Sequence, residues 1–144
     1  MELDDKSYLT AIYRNVVSAP AKYLSNNDYL KGDLLDYGCG HGSDANLLLA
    51  DKYDPYYFPT KPDHQYDTII CNYVLNVVKP SMVMEIVEDI KSYLKVGGTA
   101  YISVRRDIKK EGITSKGTEQ WNVLLNLPVV VEKKNKFCIY KLTK

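Results

Sequence analysis

Five consecutive residues, Gly38-Cys39-Gly40-His41-Gly42, constrain this chain more than any other feature. A short apolar run with one acid, Leu34-Leu35-Asp36-Tyr37, precedes them and reads as a strand. Ser43 or Asp44 then caps a helix carrying Ala45, Leu47, Leu48 and Leu49. Glycines at alternate positions between a strand and a helix let the chain turn sharply and let a ligand approach the backbone. The dinucleotide fingerprint, Gly-x-Gly-x-x-Gly, would need glycine where Ser43 stands. Asp36 would also repel a pyrophosphate. The loop is therefore wrong for a dinucleotide and suits a cationic ligand.

The rest of the chain alternates strands and helices around that loop. Residues 5–17 read as an amphipathic helix, with Tyr8, Leu9, Ile12, Val16 and Val17 on one stripe. Ser18 and Pro20 suit the start of a second short helix reaching Leu24. Lys52 to Asp54 is a very short strand, and Pro55, Pro59 and Pro62 make residues 55–66 loop. Thr68 to Cys71 is a buried-type strand whose apolar character continues through Val74 to Val78. The clearest helical period runs from Pro80 to Leu94, through Met82, Val83, Ile86, Val87, Ile90 and Tyr93, with Gly97-Gly98 as its stop. Thr99 to Val104 is the next strand. After a basic stretch at 105–122, Val129 to Glu132 and Phe137 to Leu142 form a hairpin around Lys133-Lys134-Asn135-Lys136. This order predicts an α/β fold: a Rossmann-like, mostly parallel sheet of about six strands flanked by helices, ending in an antiparallel hairpin. Ligands of such sheets sit beyond the carboxyl ends of the strands. That places the site at Asp36 to Asp44, Asp54 to Phe58, Asn72 to Asn76, and Arg105 onward.

Composition narrows the class. At 144 residues the chain suits one domain, with residues 1–31 as N-terminal helices and 32–144 as the ligand-binding core. No apolar run approaches the ~18 residues of a membrane span. The acidic start, Met-Glu-Leu-Asp-Asp, lacks the order of a secretory signal. Cys39, Cys71 and Cys138 form neither a disulfide framework nor a zinc pattern, so a cytoplasmic protein with reduced thiols and no metal is expected. The net charge of +1 hides a split. Residues 1–72 hold 6 basic and 11 acidic side chains, and residues 73–144 hold 13 and 7. A polyanion partner for the second half fits that asymmetry.

Gly-x-Gly-x-Gly with an acid before it resembles the first motif of class I S-adenosylmethionine (SAM) methyltransferases. An ordered series resembles, more narrowly, the DNA phosphorothioation-associated methyltransferases. Its members are Arg14 to Leu24, Asp36 to Asp44 (DYGCGHGSD), Asp54-Pro-Tyr-Tyr-Phe-Pro, Asn72 to Val78 with Pro80, Ser103 to Arg105, and Thr114-Ser-Lys-Gly-Thr with Gln120. The resemblance implies SAM as cofactor, held by Asp36, Tyr37, Gly38, Cys39, Gly40, Gly42, Asp44, Asp54, Tyr56 and Asn72. Asp54 takes the ribose hydroxyls, with Asp51 as the alternative. Asn72 and Tyr73 stand at the catalytic strand end, and Tyr37 or Tyr73 offers a ring face to the sulfonium. His41 sits either near the methionine end of SAM or in solvent. Asn76, Arg105 and Arg106 are the substrate-side candidates. The short spacing from Asp36 to Asp54 and the lack of room before Tyr66 imply a stripped core.

Methyl transfer rests largely on holding nucleophile, methyl and sulfur in line, so the absence of an acid–base dyad is compatible with an enzyme. The acceptor is not named by these residues. DNA is the acceptor that the resemblance suggests, with a protein partner supplying substrate recognition. Two other functions compete: a SAM-binding or regulatory subunit without turnover, and a nucleic-acid-binding domain. The latter would use Arg105, Arg106, Lys109, Lys110 and Lys116 on phosphates.

Overall fold

The computed structural model describes residues 6–11 and 15–144. In chain order the elements are α1 (Ala19–Asn26), β1 (Leu34–Tyr37), α2 (Ser43–Leu48), β2 (Asp51–Tyr53), β3 (Tyr66–Asn72), α3 (Val83–Ser92), β4 (Leu94–Arg105), β5 (Gly112–Ile113), β6 (Glu119–Gln120), β7 (Val129–Lys133) and β8 (Phe137–Thr143). Six strands form one sheet in the order β2-β1-β3-β4-β8-β7, and β5 and β6 make a separate ribbon. The first four pair in parallel, whereas β8 runs antiparallel to β4 and β7 antiparallel to β8. The expected α/β architecture and terminal hairpin are both present.

Strand alternation divides the core between two faces. Leu35, Tyr37, Ile69, Cys71, Ala100, Ile102 and Tyr140 pack with Ile86, Val87 and Ile90 of α3. The residues between them, Ile70, Tyr101 and Ile139, pack with Leu24 of α1. Asp36, Asn72 and Ser103 share the second parity, so their side chains project on the α1 side at the strand ends.

Four sequence expectations need correction. The proposed helix at 5–17 is, where described, a single 3-10 turn at Ser7–Thr10 followed by an extended Ala11. Residues 5 and 12–14 of that expectation, Ile12 among them, lie outside the described residues, as does Arg14 of the first quoted segment. Tyr8 leaves the helical stripe because its ring stacks on Tyr56, with centroids 3.9 Å apart. Val74 to Val78 is not extended either: Leu75–Val77 is a 3-10 turn that buries Leu75 and Asn76. The long helix begins with a 3-10 turn at Pro80–Met82 and ends at Ser92. Gly97 and Gly98 are not its stop but lie inside β4. A Cβ at Gly98 would stand 3.0 Å from the Tyr66 carbonyl oxygen, so glycine there serves the close approach of β4 to β3.

The trimming is visible as well. Helix α2 has 6 residues and closes on Leu49 in a left-handed conformation, φ 57°. Strand β2 has 3 residues. Between Asp54 and Tyr66 there is only a turn, closed by an isolated bridge between Asp54 and Phe58. Among the described residues, no helix is long and apolar enough to cross a membrane.

Candidate functional site

A cavity of about 510 Å³ opens at the carboxyl ends of β1, β2, β3 and β4. On one wall the chain leaves β1 through Gly38 (φ 77°), Gly40 (φ 55°) and Gly42 (φ 83°), all in the left-handed region. The main chain of Gly38 and Cys39 is fixed by donation from both N–H groups to the Tyr53 carbonyl, at 2.7 and 3.0 Å. Gly38 and Gly40 line the cavity, together with Cys39, Ser43 and Asp44. Gly42 does not. A Cβ there would meet Lys52 and Phe58 on the far side, so Gly42 shapes the loop and does not touch the cavity.

Three carboxyl groups face this wall, and their environments differ. Asp54 lies one residue past β2, and its two oxygens accept N–H bonds from Gly40, Tyr56 and Tyr57, each at 3.0 Å. It thereby ties the glycine loop to the 55–57 turn. Asp44, in the first turn of α2, accepts the Ser18 N–H at 2.7 Å and the Ser18 hydroxyl at 2.6 Å. Asp36 is only 3% exposed and has no hydrogen-bond partner among the described residues. Burial, and then the charges of Asp44 and Asp54, push its carboxyl well above the ordinary carboxylate range. An acid so placed is uncompensated unless something positive enters the cavity.

At the end of β3, the Asn72 side-chain oxygen accepts from the Ser103 hydroxyl at 2.9 Å, and its amide donates to Asp44 at 3.4 Å. The next residue, Tyr73, has φ 63°, and its N–H donates to the Ser103 carbonyl at 3.0 Å. Left-handed geometry is rare for an aromatic residue and gathers at functional sites. Both side chains line the cavity, as do Tyr56, Asp54 and Arg105.

The remaining predicted residues lie elsewhere. Tyr37 is fully buried among Tyr53 and Tyr93, and its hydroxyl donates to Asp89 at 2.5 Å. Burial and that bond push the phenol up. It is core because it follows Asp36 in a strand and so points to the opposite face. Asn76 is also fully buried; it donates to the Trp121 carbonyl at 2.9 Å and accepts the Arg105 N–H at 2.8 Å. It clamps three segments and does not line the cavity. Arg106 turns to the other side, donating to the Val123 carbonyl, the Tyr140 hydroxyl and Glu132. His41 packs 4.4 Å from Tyr57, also outside the lining. Asp51 sits at the far end of β2 and accepts the Tyr66 hydroxyl at 2.6 Å, away from the cavity.

The family model described as a methyltransferase domain matches residues 10–126. The chain belongs to that family. It is a class I SAM-dependent methyltransferase domain, with SAM as its cosubstrate. The 1,6-didemethyltoxoflavin-N1-methyltransferase of Burkholderia thailandensis is similar in structure, with TM-score 0.60 and 14% identity over 85% of this chain and 76% of that one. TehB from Haemophilus influenzae gives TM-score 0.57 and 14% identity over 91% of this chain and 63% of that one. The glycopeptide N-methyltransferase MtfA gives TM-score 0.57 and 8% identity over 97% of both chains. At these identities the likeness is one of fold. No curated protein matches the sequence.

Several lining residues of the methyltransferase domain escaped the sequence reading. Ser7, Tyr8, Thr10 and Ala11 cover one side of the cavity. Their signal was hidden, because the Tyr8-Leu9-Ile12 spacing fits a helix equally well. Thr118, Glu119 and Gln120 also line the cavity, on a ribbon whose turn lies against Lys6 at Gly117. Here a signal existed: the Thr114-Ser-Lys-Gly-Thr118 segment is a tight turn. It is fixed by Thr118 carbonyl acceptance from Thr114 N–H at 2.8 Å and by the paired Thr114 and Thr118 hydroxyls at 2.6 Å.

Proposed function

We propose that this domain transfers the methyl group of SAM to a nucleophilic acceptor, with the cofactor against the wall of Asp36, Gly38, Cys39, Gly40, Asp44 and Asp54. The observation that carries the reading is Asp36: a buried acid, without a hydrogen-bond partner among the described residues, beside two further carboxyl groups. SAM fits that setting, because it brings an ammonium and a sulfonium and no phosphate. When bound, it supplies a methyl carbon already activated by the positive sulfur.

The chain's own residues then bind and orient. The bare backbone of Gly38 and Gly40 permits close approach. Three N–H bonds already occupy most of the acceptor capacity of Asp54, and about one lone-pair site remains for a ribose hydroxyl. Tyr56, stacked on Tyr8, provides a flat aromatic wall suited to adenine. Asn72 keeps Asp44 and Ser103 in register, and Tyr73 lies at the strand end where a ring face can stabilise a sulfonium by about 0.5–2 kcal/mol. Ser7, Tyr8, Thr10, Ala11 and Ser18 share the cavity with the core. That sharing supports reading residues 1–31 and 32–144 as one domain. Free thiols at Cys39, Cys71 and Cys138 suit a reducing compartment such as the cytoplasm.

The narrower likeness to DNA phosphorothioation-associated methyltransferases rests on the ordered sequence segments alone. The arginine pair that would have held DNA phosphates gives it little help. Arg106 is engaged away from the cavity, and Arg105 is bound at two points by Asp107, at 2.8 and 3.1 Å.

The test is transfer of labelled methyl from SAM to fractions of protein, nucleic acid and small molecules. An enzyme-dependent product that is lost with Asp54→Ala and kept with Asp51→Ala supports the reading. Tight SAM binding with no labelled product in any fraction would instead make the domain a binding subunit.

A further inference from the structure

Glu119 is the second buried acid that the fold leaves without a partner. It is 8% exposed, its carboxylate has no hydrogen bond or ion pair among the described residues, and it lines the same cavity as Asp36. It enters from a different direction. The Thr114–Thr118 turn closes the β5–β6 ribbon, and pairing of Ile113 with Glu119 fixes the register that carries this side chain to the cavity. The neighbouring Gln120 amide is held by the Lys110 carbonyl at 3.1 Å, and the Trp121 N–H by the Asn76 carbonyl at 2.9 Å. An acid on a segment so firmly tied is held in place at the cavity, with its acceptor oxygens available to a ligand donor.

The charges around it say what kind of ligand. Asp107 also lines this wall and occupies Arg105. Lys136 is the remaining lining cation, exposed at the rim. A phosphate-bearing acceptor would meet the carboxyl groups of Glu119 and Asp107, with two exposed lysines nearby, Lys136 and, against Gly117, Lys6. An N–H donor meets the partner that Glu119 lacks.

We propose that Glu119 is the acceptor-binding carboxylate of this domain, and that the acceptor is a small amine or ring N–H compound without phosphate. The proposal rests on the methyl-transfer reading. A neutral amine nitrogen donates one hydrogen to Glu119 and turns its lone pair towards the methyl carbon, whereas a ring N–H frees an in-plane lone pair as its proton passes to Glu119. As the N–C bond forms, the C–S bond breaks and its electron pair leaves with sulfur, giving S-adenosylhomocysteine. The proton on nitrogen passes to the Glu119 carboxylate and from there to water.

The experiment is calorimetric titration of the protein, loaded with S-adenosylhomocysteine, with benzylamine and with benzyl phosphate as probes. Benzylamine is expected to bind the wild type and to bind Glu119→Gln roughly tenfold or more weakly, the size of a lost hydrogen bond to a charged group. The variant is expected to keep the wild-type affinity for S-adenosylhomocysteine. Benzyl phosphate is expected not to bind. Equal benzylamine affinity in wild type and variant overturns the proposal. So does preference of the wild type for benzyl phosphate, or wild-type failure to bind benzylamine at millimolar concentration; neither depends on the variant folding. Wild-type protein that binds no S-adenosylhomocysteine overturns the cofactor reading itself, which separates the two failures.

Discussion

The glycine-loop wall and the wall made by residues 105–120 face one cavity, and they are built by different means. The first is mostly backbone. Left-handed glycines, the Tyr53 carbonyl and the Asp54 carboxylate fix its shape, and side chains are kept away from the space the ligand needs. The second is a short ribbon and a tight turn that bring Glu119 to the cavity, beside an Asp107 already paired with Arg105. Each wall leaves one buried acid without a partner among the described residues, Asp36 on the first and Glu119 on the second. The first wall thus acts through geometry, and the second, on the proposal above, through the carboxylate of Glu119. That difference teaches where substitutions should destroy the domain and where they should only retune it.

The largest effect is expected at the first wall. In Gly38→Ala the new Cβ stands 2.4 Å from Val74 Cγ2 at φ 77°, and a β-branched valine has little freedom to turn away. Thermal or denaturant unfolding should register a loss of about 2–5 kcal/mol, with cofactor binding lost as well. Retained binding would mean that this wall is less rigid than its hydrogen bonds imply. Next comes Asp54→Ala, expected to weaken SAM binding by roughly 10²-fold as charge-assisted bonds to the ribose and the loop are lost. Asp51→Ala, at the other end of β2, should leave that affinity unchanged in the same titration.

Tyr37→Phe separates core from site. It removes the hydroxyl donated to Asp89 and should cost about 1–2 kcal/mol of stability with SAM affinity intact. A loss of affinity without a loss of stability would put Tyr37 back among the cofactor residues. The smallest stability effect is expected at the second wall. Arg105→Ala breaks a part-exposed pair with Asp107 and should change stability by less than about 1 kcal/mol.

The charge on Asp36 also gives a pH dependence. Its folded-state pKa is raised above the value of 3.8 for a free side chain. The folded protein therefore binds the proton more tightly than the unfolded chain does. That contribution to stability is fully present below the unfolded pKa and is lost as pH rises through the folded one. Unfolding experiments on the cofactor-free protein should show this decline, and Asp36→Asn should flatten it. An unchanged slope in the variant would place the decline elsewhere.

The two walls also differ in how far the sequence foretells them. Strand, glycine run and helix follow one another without a gap at Leu34 to Leu49, so local punctuation was enough to place β1, the loop and α2. Asp54 could be found by its place after the next strand. Tyr37 adjoins Asp36 in sequence, but strand parity sends neighbours to opposite faces, so it lies in the core. Arg106 and Asn76 lie outside the cavity lining for a related reason: side-chain direction past a strand end is set by tertiary partners such as Tyr140 and Trp121. The covering segment with Tyr8 and the acid at Glu119 carry no periodic signal. Their positions depend on a stack with Tyr56 and on ribbon register, contacts that exist only in the folded chain.

The central claim is that the unpartnered acid at Asp36 is there for a cationic cofactor. Calorimetric titration of the wild type and of Asp36→Asn with SAM tests it most directly. The account predicts one-to-one binding by the wild type and roughly tenfold or weaker binding by the variant, even though the cofactor-free variant unfolds at a higher temperature near neutral pH. Equal affinity in the two proteins, or no wild-type binding at millimolar SAM, would contradict it.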